Sequence, residues 1–159
     1  MAHASTDDYV STLNDLIETC KDGEEGFKKA AENVQRTDLK SIFQQLASQR
    51  AQFAGELQQE VTRIGGKAET SGTVGGAMHR GWMDVKGAVG GKDEHSILEE
   101  AERGEDAAVD AYQKALGSDL PSDIRAVVER EYQLVQKAHN QVRSMRDNTH
   151  VETPHMNRA

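Results

Sequence analysis

The sequence predicts an all-α protein, a four-helix bundle made of two helical hairpins, and three observations support this fold class. Four long segments repeat apolar residues at alternating spacings of three and four, which is typical of helices with one buried face. Aromatic residues make up only 4% of the 159 residues and there are two prolines, whereas β-sheet proteins usually have more aromatic and turn-forming residues. Two short connections and one long one link the four segments, which indicates two hairpins joined by a crossover.

The composition excludes several classes of protein. Asp and Glu number 27 against 19 Lys and Arg, so the formal net charge is −8, which argues against a nucleic-acid-binding surface. A single cysteine, Cys20, rules out an internal disulfide framework and indicates a reducing compartment. No secretory signal pattern and no run of about 18 apolar residues is visible, so we expect a cytoplasmic protein without a membrane span.

The first predicted helix runs from about Thr6 to Gln35, and the second runs from about Asp38 to Ile64. The short join between them predicts an antiparallel hairpin. Each helix has one apolar face that suits the core of a bundle. The predicted core positions of the two helices are Leu13, Leu16, Cys20, Gly23, Phe27, Ala30 and Val34, followed by Leu39, Phe43, Leu46, Phe53, Leu57, Val61 and Ile64.

The third predicted helix runs from about Asp93 to Leu116, and the fourth runs from about Pro121 to Asp147. Pro121 suits the first turn of a helix, because its missing N–H would have no partner there. The join is again short, which predicts a second antiparallel hairpin. The predicted core positions are Ile97, Leu98, Ala101, Ala108, Ala111 and Ala115, followed by Ile124, Val127, Leu134, Ala138, Val142 and Met145.

The segment between the hairpins, residues 65–92, is rich in Gly and Ser at its start. It is either a flexible linker or a segment that carries the chain back along the bundle, the arrangement of ferritin-like folds. Its apolar residues at spacings of four, three and four predict a short amphipathic helix, which would act as a lid, as a dimer contact or as an adaptor surface that binds a partner. These predicted interface residues are Met78, Trp82, Val85 and Val89.

The end of the chain, residues 148–159, has no apolar periodicity and contains Pro154. We therefore expect one bundle domain over residues 1–147, followed by a disordered tail.

The two predicted hairpins resemble each other at an offset of 81 residues. The segment Leu16–Ala30 aligns with Ile97–Ala111, which places Gly23 on Gly104 and Glu24 on Glu105. The alignment extends into the second helix of each hairpin and keeps the apolar positions in phase. A shared heptad pattern of bundle helices would explain the phase, whereas the matched Gly-Glu pairs favour an internal repeat.

Four charged residues border or interrupt the apolar faces at matched positions, namely Glu24, Arg50, Glu105 and Glu131. Each lies about 13 residues from the turn of its hairpin, roughly 20 Å along a helix. If the hairpins pack with pseudo-twofold symmetry, these side chains meet in one buried charge layer. Three glutamates and one arginine would leave a net charge of −2 there, which is costly to bury.

Such a layer resembles the position of the metals in ferritin-like di-metal proteins, which use two lone Glu residues and two Glu-x-x-His pairs. Here the corresponding strings are Arg50-Ala-Gln-Phe53 and Glu131-Tyr-Gln-Leu134, so an arginine replaces one Glu and both His positions are apolar. Three alternatives remain: a structural Arg–Glu network, a bound metal, or exposed charges without a role. The ligands of a metal would be Glu24, Glu102, Glu105 and Glu131, with iron, manganese or zinc as the metal.

His139 lies eight residues beyond Glu131, about 12 Å along the helix, so we expect it outside the layer, on a helix face near the bundle end.

Several longer strings resemble a known family, the bacterial ferritin-like four-helix-bundle proteins of the DUF2383 type. These strings are LNDLIETCKDGEEGFKKAAENV, QLASQRAQFAGELQQE, HRGWMDVKGAV and ILEEAERGEDAAVDAYQKAL, and the resemblance covers roughly residues 8 to 147. The resemblance implies a ferritin-like fold and no particular activity. The strings around Glu24 and Glu105 are also similar to the Gly-Glu ligand segments of rubrerythrin-like proteins, which implies a ligand role for these two residues.

Three functional hypotheses follow from the sequence. The first is a bundle without catalytic function and without a cofactor, in a stress-associated or self-assembly role, in which the chain forms a dimer or a larger homo-oligomer. The second is a carboxylate-bridged metal-binding protein with a redox or storage role. The third is an adaptor that binds a partner through the Trp82 helix.

Overall fold

The computed structural model describes residues 5–72 and 94–157, with side chains up to residue 148. The described residues form four helices and no strand, so the predicted all-α four-helix class is confirmed. The helices are α1 (Thr6–Asn33), α2 (Thr37–Arg63), α3 (Glu94–Leu116) and α4 (Ser122–Asn157).

Local signals explain the ends of the first hairpin. Ser5 and Asp8 form a capping box, in which each side chain accepts a hydrogen bond from the backbone N–H of the other. α2 ends at Arg63, and two residues later the φ of Gly65 is 86°, a left-handed conformation that glycine adopts without steric cost. The Gly66 N–H then donates to the Val61 carbonyl, which satisfies a backbone acceptor at the helix end.

The last helix extends beyond its predicted end. α4 continues to Asn157, whereas the apolar pattern ends near Asp147, so the backbone is helical through most of the stretch that we expected to be a disordered tail. The difference has a simple cause. Apolar periodicity marks only the part of a helix that packs on neighbours, and backbone hydrogen bonds continue a helix without it.

The helices pack as two hairpins, α1 on α2 and α3 on α4, with α1 also against α3 and α2 against α4. The predicted core positions of α1 and α2 are buried, apart from Ile64, which is partly buried. In α4 the core residues are Val128 and Val135 rather than Val127 and Leu134. At both places the prediction chose the wrong one of two neighbouring apolar residues, because either residue fits the helical spacing almost equally well.

The start of the crossover runs back along the first hairpin. The Asn14 side chain on α1 donates to the Lys67 carbonyl at 3.0 Å and accepts from the Glu69 N–H at 2.8 Å. Gln58 on α2 donates to the Glu69 carbonyl at 2.9 Å. Residues 65–72 therefore follow the bundle surface. The predicted amphipathic helix around Trp82 lies outside the described residues, together with its interface residues Met78, Val85 and Val89.

Candidate functional site

The apolar core is divided into two clusters by polar side chains at one level of the bundle. One cluster includes Leu13 and Phe53, and the other includes Phe27 and Phe43. Between them lie Arg50, Glu105 and Glu131, which are exposed by 1%, 0% and 0%. We refer to these three residues, together with Cys20 and Tyr112, as the buried charge layer.

The central contact of this layer is a bidentate ion pair between Arg50 and Glu105. Arg50 Nη1 donates to Glu105 Oε1 at 2.6 Å, and Nη2 donates to Glu105 Oε2 at 2.7 Å. Burial by itself would lower the pKa of Arg50, but the charge and hydrogen bonds of Glu105 outweigh it and raise this pKa above its usual range. Arg50 and Glu105 therefore form a bidentate ion pair without net charge, in which Arg50 Nε alone has no hydrogen-bond partner among the described residues.

The apolar neighbours of Arg50 also fit a guanidinium. The Arg50 guanidinium carbon lies 5.4 Å from the centre of the Phe27 ring, within the range of a cation–π contact. A Cβ atom at Gly23 would lie 3.4 Å from both Cγ and Nη1 of Arg50. The glycine on α1 therefore lies directly against the arginine on α2.

Glu131 belongs to a second group of polar side chains in the same layer. The Tyr112 hydroxyl donates to Glu131 Oε1 at 2.8 Å, and Cys20 Sγ lies 3.2 Å from that hydroxyl. Burial, followed by a hydrogen bond with Glu56, raises the pKa of Glu131 to about 9. Glu131 Oε2 has no hydrogen-bond partner among the described residues, so this buried position favours the uncharged acid.

The other two polar side chains of this group also stay neutral. Burial raises the pKa of the Cys20 thiol to about 12, and burial likewise raises the pKa of Tyr112 well above its usual value. Cys20 is therefore an unreactive thiol at neutral pH, because the thiolate is the nucleophilic form. With Glu131 protonated, the only charges of the layer are those of Arg50 and Glu105, which cancel.

Glu24 is not part of the layer, although we predicted it there. Its side chain lies at the surface, 3.5 Å from Lys21 Nζ and 3.1 Å from Lys28 Nζ. Gly23 occupies the core position instead, and one further residue turns the next side chain by about 100° around the helix. The inward charge of −2 expected from the sequence is therefore absent, because one glutamate lies outside and another is protonated.

Glu102 also points away from Glu105 and Glu131. Its carboxylate lies beside Arg146 on α4, whose Nη1 contacts Oε1 at 2.5 Å. The structure places Glu102 beside Asp106 and His139 instead. His139 lies outside the layer, as its distance from Glu131 along α4 suggested. The four ligands proposed from the sequence are thus not brought together.

The buried charge layer does not fit a di-metal centre. Both oxygens of Glu105 are occupied by Arg50. The positions that would require histidine carry Phe53 and Leu134. Burial raises the pKa of Glu131 to about 9, which favours the protonated form, whereas carboxylate ligands bind metals in their ionised form.

One residue of the layer, Tyr112, and one residue beside it, Glu56, were missed as functional candidates. Tyr112 lies four residues after Ala108 and three before Ala115, which is a core spacing that the sequence already showed. Glu56 gave no such signal, because its role depends on its position next to Glu131 on another helix.

Solved structures share this arrangement of helices. A two-domain protein from Anabaena variabilis, containing DJ-1/ThiJ/PfpI-like and ferritin-like domains, matches with a TM-score of 0.73 and 14% identity. The match covers 92% of this chain and 38% of that one, so the chain spans well under half the length of that protein. A mutant of Mycobacterium smegmatis Dps1 matches with a TM-score of 0.70 and 13% identity, covering 91% of this chain and 99% of that one.

The fold is therefore an all-α, ferritin-like bundle. Residues 8–118 match the family described as "Domain of unknown function (DUF2383)", and the chain belongs to this family, as its resemblance suggested. None of the curated proteins matches the chain. Among the described helices, none is both long and apolar enough to cross a membrane.

Proposed function

We propose that this protein is a non-catalytic ferritin-like bundle in which an internal ion pair takes the place of a di-metal centre. The observation that carries the proposal is the contact of both Arg50 terminal nitrogens with both Glu105 oxygens, at 1% and 0% side-chain exposure. A guanidinium binds a carboxylate through two parallel hydrogen bonds and remains charged at any physiological pH. It thus supplies at this level the positive charge that a metal would otherwise supply.

Electrostatics supports this assignment. A metal ion in the layer would lie next to a buried, permanently charged guanidinium, and like charges repel strongly where water is excluded. The three ionisable neighbours that remain, Glu131, Tyr112 and Cys20, all have pKa values shifted upward, which favours their neutral forms. The layer thus offers no free anionic ligand.

The experiment is a metal analysis of protein purified without chelators, for the parent chain, Glu105→Gln and the control Glu24→Gln. Glu24 is matched to Glu105 by the sequence repeat but lies at the surface. We expect the same iron, manganese and zinc content in the parent and Glu105→Gln. Roughly stoichiometric metal that is lost in Glu105→Gln and kept in Glu24→Gln would overturn the proposal.

A rate measurement complements the metal analysis. Aerobic addition of Fe²⁺ should give the same oxidation rate with the parent and with Glu105→Gln, because no iron is expected to bind in the layer. A parent rate well above that of Glu105→Gln would indicate a catalytic centre at this level and contradict the proposal.

Self-assembly remains part of this proposal. The sequence predicted a homo-oligomer, a dimer or larger, and gave a dimer contact as one of the alternatives for the segment around Trp82. Light scattering coupled to gel filtration gives the mass directly, and a monomer of 17.5 kDa would contradict the assembly role.

A further inference from the structure

A mixed cluster of one imidazole and two carboxylates lies between α3 and α4, outside the buried charge layer. Glu102 and Asp106 are one helical turn apart on α3, and His139 faces them from α4. One ligand atom of each residue lies within 4.8 Å of the other two, and His139 Nε2 is 2.5 Å from Asp106 Oδ1. We propose that this cluster, the Glu102–Asp106–His139 site, binds a divalent cation, with Zn²⁺ preferred.

The donor set points to this class of ligand. Zinc accepts imidazole nitrogen and carboxylate oxygen together, at bond lengths of about 2.0–2.2 Å, and three protein ligands leave one position for water. Ligand atoms around such an ion lie roughly 3–3.5 Å apart. Small side-chain rotations therefore bring the three ligand atoms to these separations around a cation.

The surroundings hold two of the ligands in place. Glu102 is only 8% exposed, and Arg146 Nη1 contacts its Oε1 atom at 2.5 Å. The other oxygen, Oε2, lies 4.0 Å from Arg143 Nε, beyond hydrogen-bonding distance, so it is available to a metal. The His139 side chain is 15% exposed, which restricts the ring. Hydrogen-bonded, oriented ligands of this kind are typical of metal sites.

Local charge and access also favour a cation. Arg146 is shared, because its Nη2 atom contacts Asp147 at 2.9 Å while Nη1 contacts Glu102. Glu102, Asp106 and Asp147 thus set three carboxylates against two guanidinium groups, that of Arg146 and that of Arg143 at 4.0 Å from Glu102. The Asp106 side chain is 62% exposed, so a hydrated ion has direct access.

The test is calorimetric titration of chelator-stripped protein with Zn²⁺, with Mg²⁺ as the comparison ion. We expect one saturable Zn²⁺ site per chain. Asp106→Asn and His139→Gln should each weaken it at least tenfold, because the loss of a ligand costs at least as much as the loss of a supporting contact. Co²⁺ should give visible absorption bands in the parent that are lost in both variants.

Two controls make the result specific. Asp110→Asn changes an exposed carboxylate one turn further along α3, and His95→Gln removes a histidine that contacts Glu99 elsewhere on the same helix. Neither should alter Zn²⁺ affinity. Absence of saturable Zn²⁺ binding, binding unchanged in Asp106→Asn and His139→Gln, or equal loss in the two controls would overturn the proposal.

This site is independent of the buried charge layer. Glu105→Gln should leave Zn²⁺ affinity unchanged, because Glu105 faces Arg50 rather than Asp106. A metal that binds to the parent chain but not to Glu105→Gln would instead count against the proposed function. The two proposals thus fail through different variants.

Discussion

Replacement of Glu131 by glutamine should change how the stability of the protein depends on pH. In the folded protein the pKa of Glu131 is about 9, compared with an ordinary value of 4.5. Between these two values the folded state holds a proton that the unfolded state has lost. The free energy of unfolding therefore decreases as pH rises, by about 1.4 kcal/mol per pH unit from this group.

Glutamine mimics the protonated acid and does not titrate. Its carbonyl oxygen is able to accept the hydrogen bond from Tyr112, and its amide places no charge beside Glu56. The contribution of Glu131 is fully present below pH 4.5 and is lost as pH rises through about 9. From pH 6 to pH 8, Glu131→Gln should therefore gain about 2–3 kcal/mol relative to the parent.

The assay is urea unfolding followed by circular dichroism at pH 6, 7 and 8, with the parent and the variant measured in parallel. Other titrating groups act equally on both proteins and cancel in the difference. Glu129→Gln, an exposed glutamate on the same helix, is the matched control and should follow the parent at every pH. A constant difference between Glu131→Gln and the parent over this range would refute the assigned protonation of Glu131.

The remaining predictions concern the neighbours of Glu131 in the layer. Arg50→Met should lower the free energy of unfolding by about 3–5 kcal/mol, because it leaves Glu105 buried without a partner. In the same urea assay, the double variant with Glu105→Gln should recover a large part of this loss. Tyr112→Phe should cost about 1–3 kcal/mol, because Glu131 Oε1 loses its donor; a stability equal to the parent would contradict this hydrogen bond. Cys20 should resist a chromophoric disulfide reagent in the folded state and react once urea unfolds the chain, because the thiol is buried and its pKa is raised to about 12. Rapid labelling without urea would show that the thiol is exposed.

Much of the fold could be predicted because helix periodicity is a local property of the sequence. The cores of α1 and α2 follow directly from apolar residues at spacings of three and four. The prediction fails where two adjacent residues are both apolar, as with Val127 and Val128, because periodicity alone does not choose between them. The extension of α4 to Asn157 leaves no apolar signal.

The candidate site could be predicted in part. Arg50, Glu105 and Glu131 were placed at one level by counting residues from the turns, and the structure brings them to the same layer. Glu24 was misplaced because counting gives height along the helix but not rotation around it. Protonation of Glu131 is one of several ways to reduce a charge of −2, and selecting it required the burial of Glu131 and the position of Glu56 on another helix.

The position of the ion pair also determines what its loss should affect. Arg50 lies on the first hairpin and Glu105 on the second, so their hydrogen bonds connect the hairpins across the centre of the bundle. Each hairpin has additional apolar contacts of its own on both sides of the layer. Loss of the pair should therefore loosen the packing between hairpins before it reduces helix content. In Arg50→Met, hydrogen exchange should accelerate first in the turns of α1 and α3 that face each other at this layer, and uniform acceleration along all four helices would contradict this account.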